Sequence, residues 1–392
     1  MDEFLATTAT TLKSNNYNGL TLVIGNESCD LDSAVSAIVF ANFLSWQYNQ
    51  IRCKVCIIGH RDENSPLKDD IFVPILNVDR KDYDLKTEVV YHFKSKGISD
   101  SNLVFRDDYD FNELVNKSKP KVVMVDHHAL ARRDTFLAPY VTEIIDHRPL
   151  DKSGWLYKDD VRSTLETAGS CCTLIAQRIK DLSVLIAKED DFFKANPVCA
   201  EMLWATIILD TVNFSPDVDK ATPHDEEMTL FLESLMEPGD HKADRQGVND
   251  DLIAARKNVA RLTAAQLLKK DAKIVGDVYI PSFPILVKEF LKRPGALQAV
   301  SEALQQNKCT VALLLGMDLT EGLQRDTALY SPDQPEKATQ LSKHLLSWSR
   351  VSLGLSPERL SAAEDCRYYW QLNLSVSRKH YIPAVTNFNS NT

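Results

Sequence analysis

The strongest constraint on this chain is a set of short, β-branched apolar runs that each lead into an acid. Residues 121–125 run into Asp126, residues 142–145 into Asp146, and residues 206–209 into Asp210. A fourth run, 21–24, leads through Gly25-Asn26-Glu27-Ser28-Cys29 to Asp30-Leu31-Asp32. Runs this short and this apolar are expected to be strands buried on both faces, as in a parallel sheet covered by helices. Amphipathic stretches separate them, with helices expected over 33–46 and over 171–179, the second opening just after Gly169-Ser170. The alternation predicts an α/β fold with an N-terminal, mostly parallel sheet flanked by helices.

In an open parallel sheet the carboxyl ends of the strands line one crevice, so acids far apart in sequence converge there. A single Asp after a strand is usually a turn residue or a helix N-cap, and Asp32, directly before the helix expected at Ser33, fits capping alone. Four such ends, two of them followed by histidine, are harder to assign to caps. Converging carboxylates repel one another at low dielectric unless cations sit between them. A pair of divalent metals is the economical explanation. Aspartate with neutral histidine suits Mn²⁺, Co²⁺, Zn²⁺ or Mg²⁺. Two such ions can activate a shared water and clamp the oxygens of an in-line displacement, which fits phosphoryl chemistry better than acyl chemistry. The sequence holds no Gly-x-Ser-x-Gly elbow, Walker loop or dinucleotide fingerprint that would compete.

Length sets the domain expectation: 392 residues exceed the usual single domain. We expect a catalytic domain over 1–236, a linker or hinge over 237–250, where the sequence turns polar, and a smaller C-terminal α/β domain over 251–392. In that second part a helix is expected over 252–270, strands over 273–280 and 310–315, and a helix over 337–348. The eight cysteines are scattered, and the lone Cys53-x-x-Cys56 lacks a second pair to complete a zinc site. The others read as reduced thiols. A formal net charge of −10 argues against nucleic-acid binding and an anionic membrane surface, although bound cations reverse the local sign of a carboxylate-lined site. Met1-Asp2-Glu3-Phe4 carries no basic-then-apolar secretory leader, and a cytoplasmic location is expected.

With these residues in view, the sequence resembles the DHH phosphoesterases, and within them the prune-like and fungal exopolyphosphatase branch, which is related to family II inorganic pyrophosphatases. The carriers are Gly25 through Ser33, Val125-Asp126-His127-His128, Ile145-Asp146-His147-Arg148-Pro149, Gly169-Ser170-Cys171 and Leu209-Asp210-Thr211. Leu268-Lys269-Lys270-Asp271 and Ser377-Arg378-Lys379 look like motifs of the associated C-terminal domain.

The resemblance implies an active site in an interdomain cleft with two divalent cations, Mn²⁺ or Mg²⁺ with Co²⁺ also suitable. Asp30, Asp32, Asp126, His147 and Asp210 would be the metal ligands, with Asp126 bridging. Asp126, His127 and His147 would be catalytic, and His128 supporting. Asp146 would orient His147 through the other ring nitrogen. Asn26, Arg148, Arg378, Lys379 and His380 would bind substrate.

Two departures shape the substrate expectation. Asn26 stands where family II pyrophosphatases carry a metal-ligating histidine, and Arg148 replaces a second histidine. A guanidinium cannot act as a general acid near neutrality, but its fork suits a phosphate. The implied activity is therefore an exopolyphosphatase releasing orthophosphate from inorganic polyphosphate, short chains such as triphosphate included. The alternatives are an inorganic pyrophosphatase, a nucleotide phosphodiesterase of the same family, or a prune-like regulator that binds a protein partner. The second domain of nucleotide-cleaving branches typically carries a Gly-Gly-Gly-His element, and this chain contains no Gly-Gly pair. From charge alone, Ser377-Arg378-Lys379-His380 also reads as a solvated basic turn.

Overall fold

The computed structural model describes residues 1–51, 68–150, 155–237, 241–318, 322–360 and 366–391. The Cys53-x-x-Cys56 pair lies outside them. The chain divides into two compact units, Met1–Arg256 and Lys257–Thr392.

The first unit is built on six parallel strands: β1 (Leu20–Ile24), β2 (Ile71–Leu76), β3 (Val104–Phe105), β4 (Lys121–Val125), β5 (Val141–Asp146) and β6 (Arg162–Leu165). Their order across the sheet is β3-β2-β1-β4-β5-β6. This is a doubly wound order that reverses direction between β1 and β4, and the crevice at such a reversal is where ligands bind.

Strand alternation explains why these runs read as continuously apolar. Leu20, Leu22, Ile24, Val122, Met124 and Ile144 face one core cluster. Val23, Val123, Val125 and Ile145 face another, under the helices Leu31–Ile51, Cys171–Leu185 and Pro197–Asp210. Both faces are covered over the middle of the sheet, so the central strand positions are apolar on either side.

The second unit carries a mixed sheet in the order β11-β12-β10-β9-β8-β7, from β7 (Ala272–Val275), β8 (Val278–Phe283), β9 (Val311–Asp318), β10 (Gln324–Tyr330), β11 (Leu355–Glu358) and β12 (Arg367–Gln371). Only the β8–β9 pair is parallel. The single strand expected over 273–280 is a hairpin, turned at Gly276 with φ +60°. Its core gathers Val278, Ile280, Leu313, Leu329, Leu341 and Tyr381.

Besides that hairpin, two expected elements need correction. Residues 206–209 are not a strand but the last turn of the helix Pro197–Asp210. That helix is apolar on all sides and buried from Met202 to Leu209, so it has no polar face to reveal a helical period. The helix expected over 252–270 is two, His241–Lys257 and Ala264–Lys270, the second opened by a capping box between Thr263 and Gln266. The expected linker at 237–250 contains most of the first of these helices. Arg245 there makes a two-pronged ion pair with Glu233, and Leu252 joins the first unit's core, so the units part at Arg256/Lys257.

One buried titratable group sets a pH limit on the first unit. His92, 4 % exposed on the helix Thr87–Ser95, has no partner for Nε2 among the described residues. Burial, aided by the charge of Lys96, pushes its imidazolium down from 6.5 to about 3. The folded state thus binds fewer protons than the unfolded state between those values. Stability from this group is complete above pH 6.5 and is lost as pH falls, by up to about 1.4 kcal/mol per unit. His92→Leu is expected to flatten the fall in urea midpoint between pH 7 and pH 4.5; an unchanged slope would remove His92 as its source.

Candidate metal centre

The loop after β1 is folded by its own polar side chains. Gly25 lies so close to the following helix that a Cβ there would meet Ser33 Oγ at 2.8 Å and the Ser33 carbonyl at 2.9 Å. Ser33 Oγ accepts the Asn26 amide at 2.7 Å. Asn26 Oδ1 accepts three donors, Ser28 N at 2.8 Å, Ser28 Oγ at 2.6 Å and Cys29 N at 3.2 Å. Cys29 takes a left-handed conformation, φ 45°, and the chain then enters the helix Leu31–Ile51. Asp30 caps that helix, its Oδ1 accepting from Ser33 N at 3.2 Å. The capping role considered for Asp32 thus belongs to Asp30, and Asp32 sits inside the first turn.

Asp32 is buried and held by the N-terminus of another helix. Oδ1 accepts Ser170 Oγ at 2.8 Å and Cys172 N at 2.9 Å, and Oδ2 accepts Cys171 N at 2.7 Å. The free amides of the helix Cys171–Leu185 and its positive end favour this carboxylate. The Gly169-Ser170 helix start was legible in the sequence; its use as an anchor for Asp32 was not.

Asp126 leaves the end of β4 with φ +60°, an uncommon conformation for aspartate, fixed by its amide donating to the Ile145 carbonyl at 2.9 Å. Asn26 Nδ2 donates to Asp126 Oδ2 at 2.6 Å. Oδ1 is buried without a hydrogen bond of good geometry, while His147 Nε2 at 3.3 Å and Arg148 Nη2 at 3.2 Å lie at ion-pair distance. His147 Nδ1 is tied to the Ala168 carbonyl at 2.8 Å, which turns Nε2 toward Asp126 and toward Asp32 Oδ2 at 3.8 Å. One ligand atom each from Asp32, Asp126 and His147 lie within 4.8 Å of one another.

The remaining acids take different places. Asp210, at the end of its helix, has a buried Oδ2 without a partner among the described residues, and Oδ1 lies 3.8 Å from Lys220 Nζ. Asp30 and Asp210 stand outside the closest triad, yet the charges of Asp30 and Asp32 both bear on Asp126 and on Asp210. Asp146 does not orient His147, contrary to expectation. Its Oδ2 pairs with His128 Nδ1 at 2.5 Å, because the two sit on adjacent strand ends, while a carbonyl from the 168 loop reaches His147 first. His127 Nδ1 contacts the Val125 carbonyl at 2.9 Å.

Electrostatics mark the cluster as a cation site. Burial and the neighbouring Asp32 charge push Asp126 up to about 7, against the opposing contacts of His147 and Arg148. Burial and Asp32 raise Asp210 as well. Burial would lower His147, but contact with Asp126 and the Asp32 charge outweigh it and lift the imidazole to about 9. Carboxylates crowded and desolvated to this degree carry an electrostatic cost that a divalent ion would remove. Two buried carboxylate oxygens, Oδ1 of Asp126 and Oδ2 of Asp210, accept no hydrogen bond of good geometry among the described residues and so keep lone pairs of the kind hard cations take. The donor set therefore fits divalent metal.

Asn26 is a weaker fit as a ligand. Its oxygen already accepts three donors, so its role here is to donate to Asp126. Arg148 is half exposed; Nη1 donates to the Asp126 carbonyl at 2.6 Å and Nη2 lies 3.2 Å from Asp126 Oδ1.

In the second unit, Arg378 makes a bidentate-type contact with Asp271: Nη2 to Oδ1 at 2.7 Å and Nη1 to the carbonyl at 2.9 Å. Two separate sequence motifs, 268–271 and 377–379, are thereby joined. Lys379 is exposed, and His380 Nδ1 accepts the Ser377 amide at 3.1 Å.

Sequence reasoning missed Lys220 and Asp225. The second had a readable signal, since Thr222-Pro223-His224-Asp225 is a capping box.

Known proteins agree with this architecture. A family model described as the DHH family, N-terminal domain, matches residues 21–208, and one described as the DHHA2 domain matches residues 250–388. The rat protein named exopolyphosphatase PRUNE1 (Rattus norvegicus) is 31% identical over 93% of this chain and 74% of its own length. The human protein of that name (Homo sapiens) is 30% identical over 93% and 75%. A Schizosaccharomyces pombe protein whose name also carries exopolyphosphatase is 28% identical over 93% and 89%. With both domains matched in order, and relatives this similar along most of their length, the chain belongs to the prune-like branch of the DHH phosphoesterase superfamily.

Proposed function

We propose that this protein is a metal-dependent exopolyphosphatase that hydrolyses terminal phosphoanhydride bonds of inorganic polyphosphate, triphosphate included, and releases orthophosphate. The observation that carries this reading is the buried triad of Asp32, Asp126 and His147, with Asp210 nearby carrying a buried Oδ2 that has no hydrogen bond among the described residues and feeling the charge of Asp32. The names of the mammalian and fungal relatives support the phosphoanhydride substrate.

In this reading Asp30, Asp32, Asp126, His147 and Asp210 hold two divalent cations, Mn²⁺ or Mg²⁺. When bound, such ions lower the pKa of a water and neutralise charge on the phosphoryl oxygens. The protein's own share is orientation. The Ala168 carbonyl fixes the tautomer of His147, the amides of Cys171 and Cys172 fix Asp32, and Asn26 fixes Asp126. His127 holds its proton on Nδ1 against the Val125 carbonyl, so Nε2 can accept a hydrogen bond from a reacting group. Arg148 stands beside Asp126 with part of its guanidinium free for a phosphate oxygen. Arg378, Lys379 and His380 are assigned to the phosphate chain on the strength of the family resemblance.

Asn26 and Arg148 favour polyphosphate over pyrophosphate, because the first is committed to hydrogen bonds and the second is a permanent cation. Phosphate release compared across triphosphate, pyrophosphate, long polyphosphate and cyclic AMP, with Mg²⁺, Mn²⁺ and Co²⁺, tests the assignment. Triphosphate is expected to be cleaved faster than pyrophosphate; the reverse order would overturn it.

A further inference from the structure

Asp225 has a hydrogen-bond set larger than its own helix requires. It is fully buried at the start of the helix Pro223–Leu235. Oδ2 accepts Thr222 N at 2.7 Å, which closes the capping box with Asp225 N donating to Thr222 Oγ1 at 3.4 Å, and Oδ2 accepts Thr222 Oγ1 as well at 2.7 Å. It also accepts Gly169 N at 2.8 Å, and Oδ1 accepts Thr173 Oγ1 at 2.6 Å. Capping has no use for these last two bonds, which reach back more than fifty residues.

Gly169 and Thr173 flank Ser170-Cys171-Cys172, the three residues whose donors hold Asp32. Asp225 therefore grips that segment from behind, at both ends. The glycine that Asp225 holds is itself packed against a second element. A Cβ on Gly169 would lie 2.8 Å from Thr211 Cγ2 and 3.0 Å from Asp225 Oδ2, so the residue directly after Asp210 packs against the same glycine. Among the described residues no lysine or arginine pairs with Asp225, which leaves hydrogen bonds as the means by which its carboxylate is satisfied.

We propose that Asp225 is a positioning residue for the metal centre. It locks the N-terminus of the helix Cys171–Leu185, through Gly169 and Thr173, in the arrangement that presents Asp32 to a divalent cation, and Gly169 so held is the surface against which Thr211, next to Asp210, packs. The inference rests on the metal-centre reading above. Partners that orient ligands commonly contribute 10- to 100-fold in metal affinity, and Asp225 acts one step further out, so an effect of roughly tenfold is expected.

The test reads Mn²⁺ binding to the purified full chain by electron paramagnetic resonance, without substrate and well below the melting temperature. Asp225→Asn places an N–H where the carboxylate accepted Gly169 N or Thr173 Oγ1, and is expected to lower Mn²⁺ affinity roughly tenfold. Thr173→Val removes a single donor and keeps the protein folded if Asp225→Asn does not. It is expected to weaken Mn²⁺ binding by a smaller factor, and Thr173→Ser to restore wild-type affinity. Loss of thermal stability with wild-type Mn²⁺ affinity in Asp225→Asn and Thr173→Val would make Asp225 a structural cap and overturn the proposal. Absent Mn²⁺ uptake by the wild type would overturn the metal centre and this role together. Because binding is read without substrate, normal Mn²⁺ binding with no phosphate release from triphosphate counts against the exopolyphosphatase reading alone.

Discussion

Asp126→Asn is expected to cut phosphate release from triphosphate by about 10³-fold or more, while raising the melting temperature of the metal-free protein. The two effects share one cause. Asp126 is buried and lies in the field of the Asp32 and Asp30 charges, which is why its carboxyl is pushed up to about 7. An uncharged amide of the same shape removes that repulsion, and removes the charge that the proposed metal-ligand role would need. Activity and metal-free stability should thus move in opposite directions, as happens where a site is built for function at some expense of stability. Asn26 Nδ2 donates to Oδ2 of Asp126 and can donate to an amide oxygen as well, so the loop after β1 has reason to keep its fold. A phosphate-release assay with a thermal melt in chelator checks both halves. Activity within tenfold of wild type would remove Asp126 from the centre of the reaction.

Arg378→Ala is expected to lower kcat/KM for triphosphate by about 10²-fold and to leave Mn²⁺ binding unchanged. Asp271 already holds the Arg378 guanidinium at 2.7 Å, so the side chain is ordered before any substrate arrives, and little rotamer entropy is left to lose on binding phosphate. Asp271→Asn separates the two roles that this pair can have. If Asp271 only preorganises Arg378, its loss weakens triphosphate hydrolysis by a smaller factor than Arg378→Ala does. Unchanged turnover in Arg378→Ala would withdraw the second domain's arginine from phosphate binding. It would leave the basic turn at 377–380 as the solvated feature its charge alone suggests.

Much of the first domain was legible because its physics is local. Runs such as 121–125 are too short for helices and too apolar for surface strands, so burial on both faces follows from composition. The pairing of Gly169-Ser170 with a following apolar stretch marks a helix start, and the structure has one there. The strand expected at 206–209 failed for an equally local reason. A helix surrounded by other elements has no solvent face, so its sequence carries no 3.6-residue period to separate it from a buried strand. The consequence for the site is modest, since the helix end still places Asp210 within the field of Asp30 and Asp32.

Sequence by itself determined the residue types of the metal centre and the sheet that brings them together: acids after β1 and β4 and a histidine after β5, all at the carboxyl edge around the reversal of a doubly wound sheet. Only the tertiary structure decided how each is held. Asp32 is fixed by helix amides more than 130 residues away, His147 by a backbone carbonyl in place of Asp146, and Asp225 bonds the residues on either side of the segment that holds Asp32. The physical reason is that a ligand's identity is a property of its side chain, whereas its orientation depends on donors and acceptors contributed by distant backbone. Backbone groups are the same at every position, so no sequence pattern announces which of them will be used.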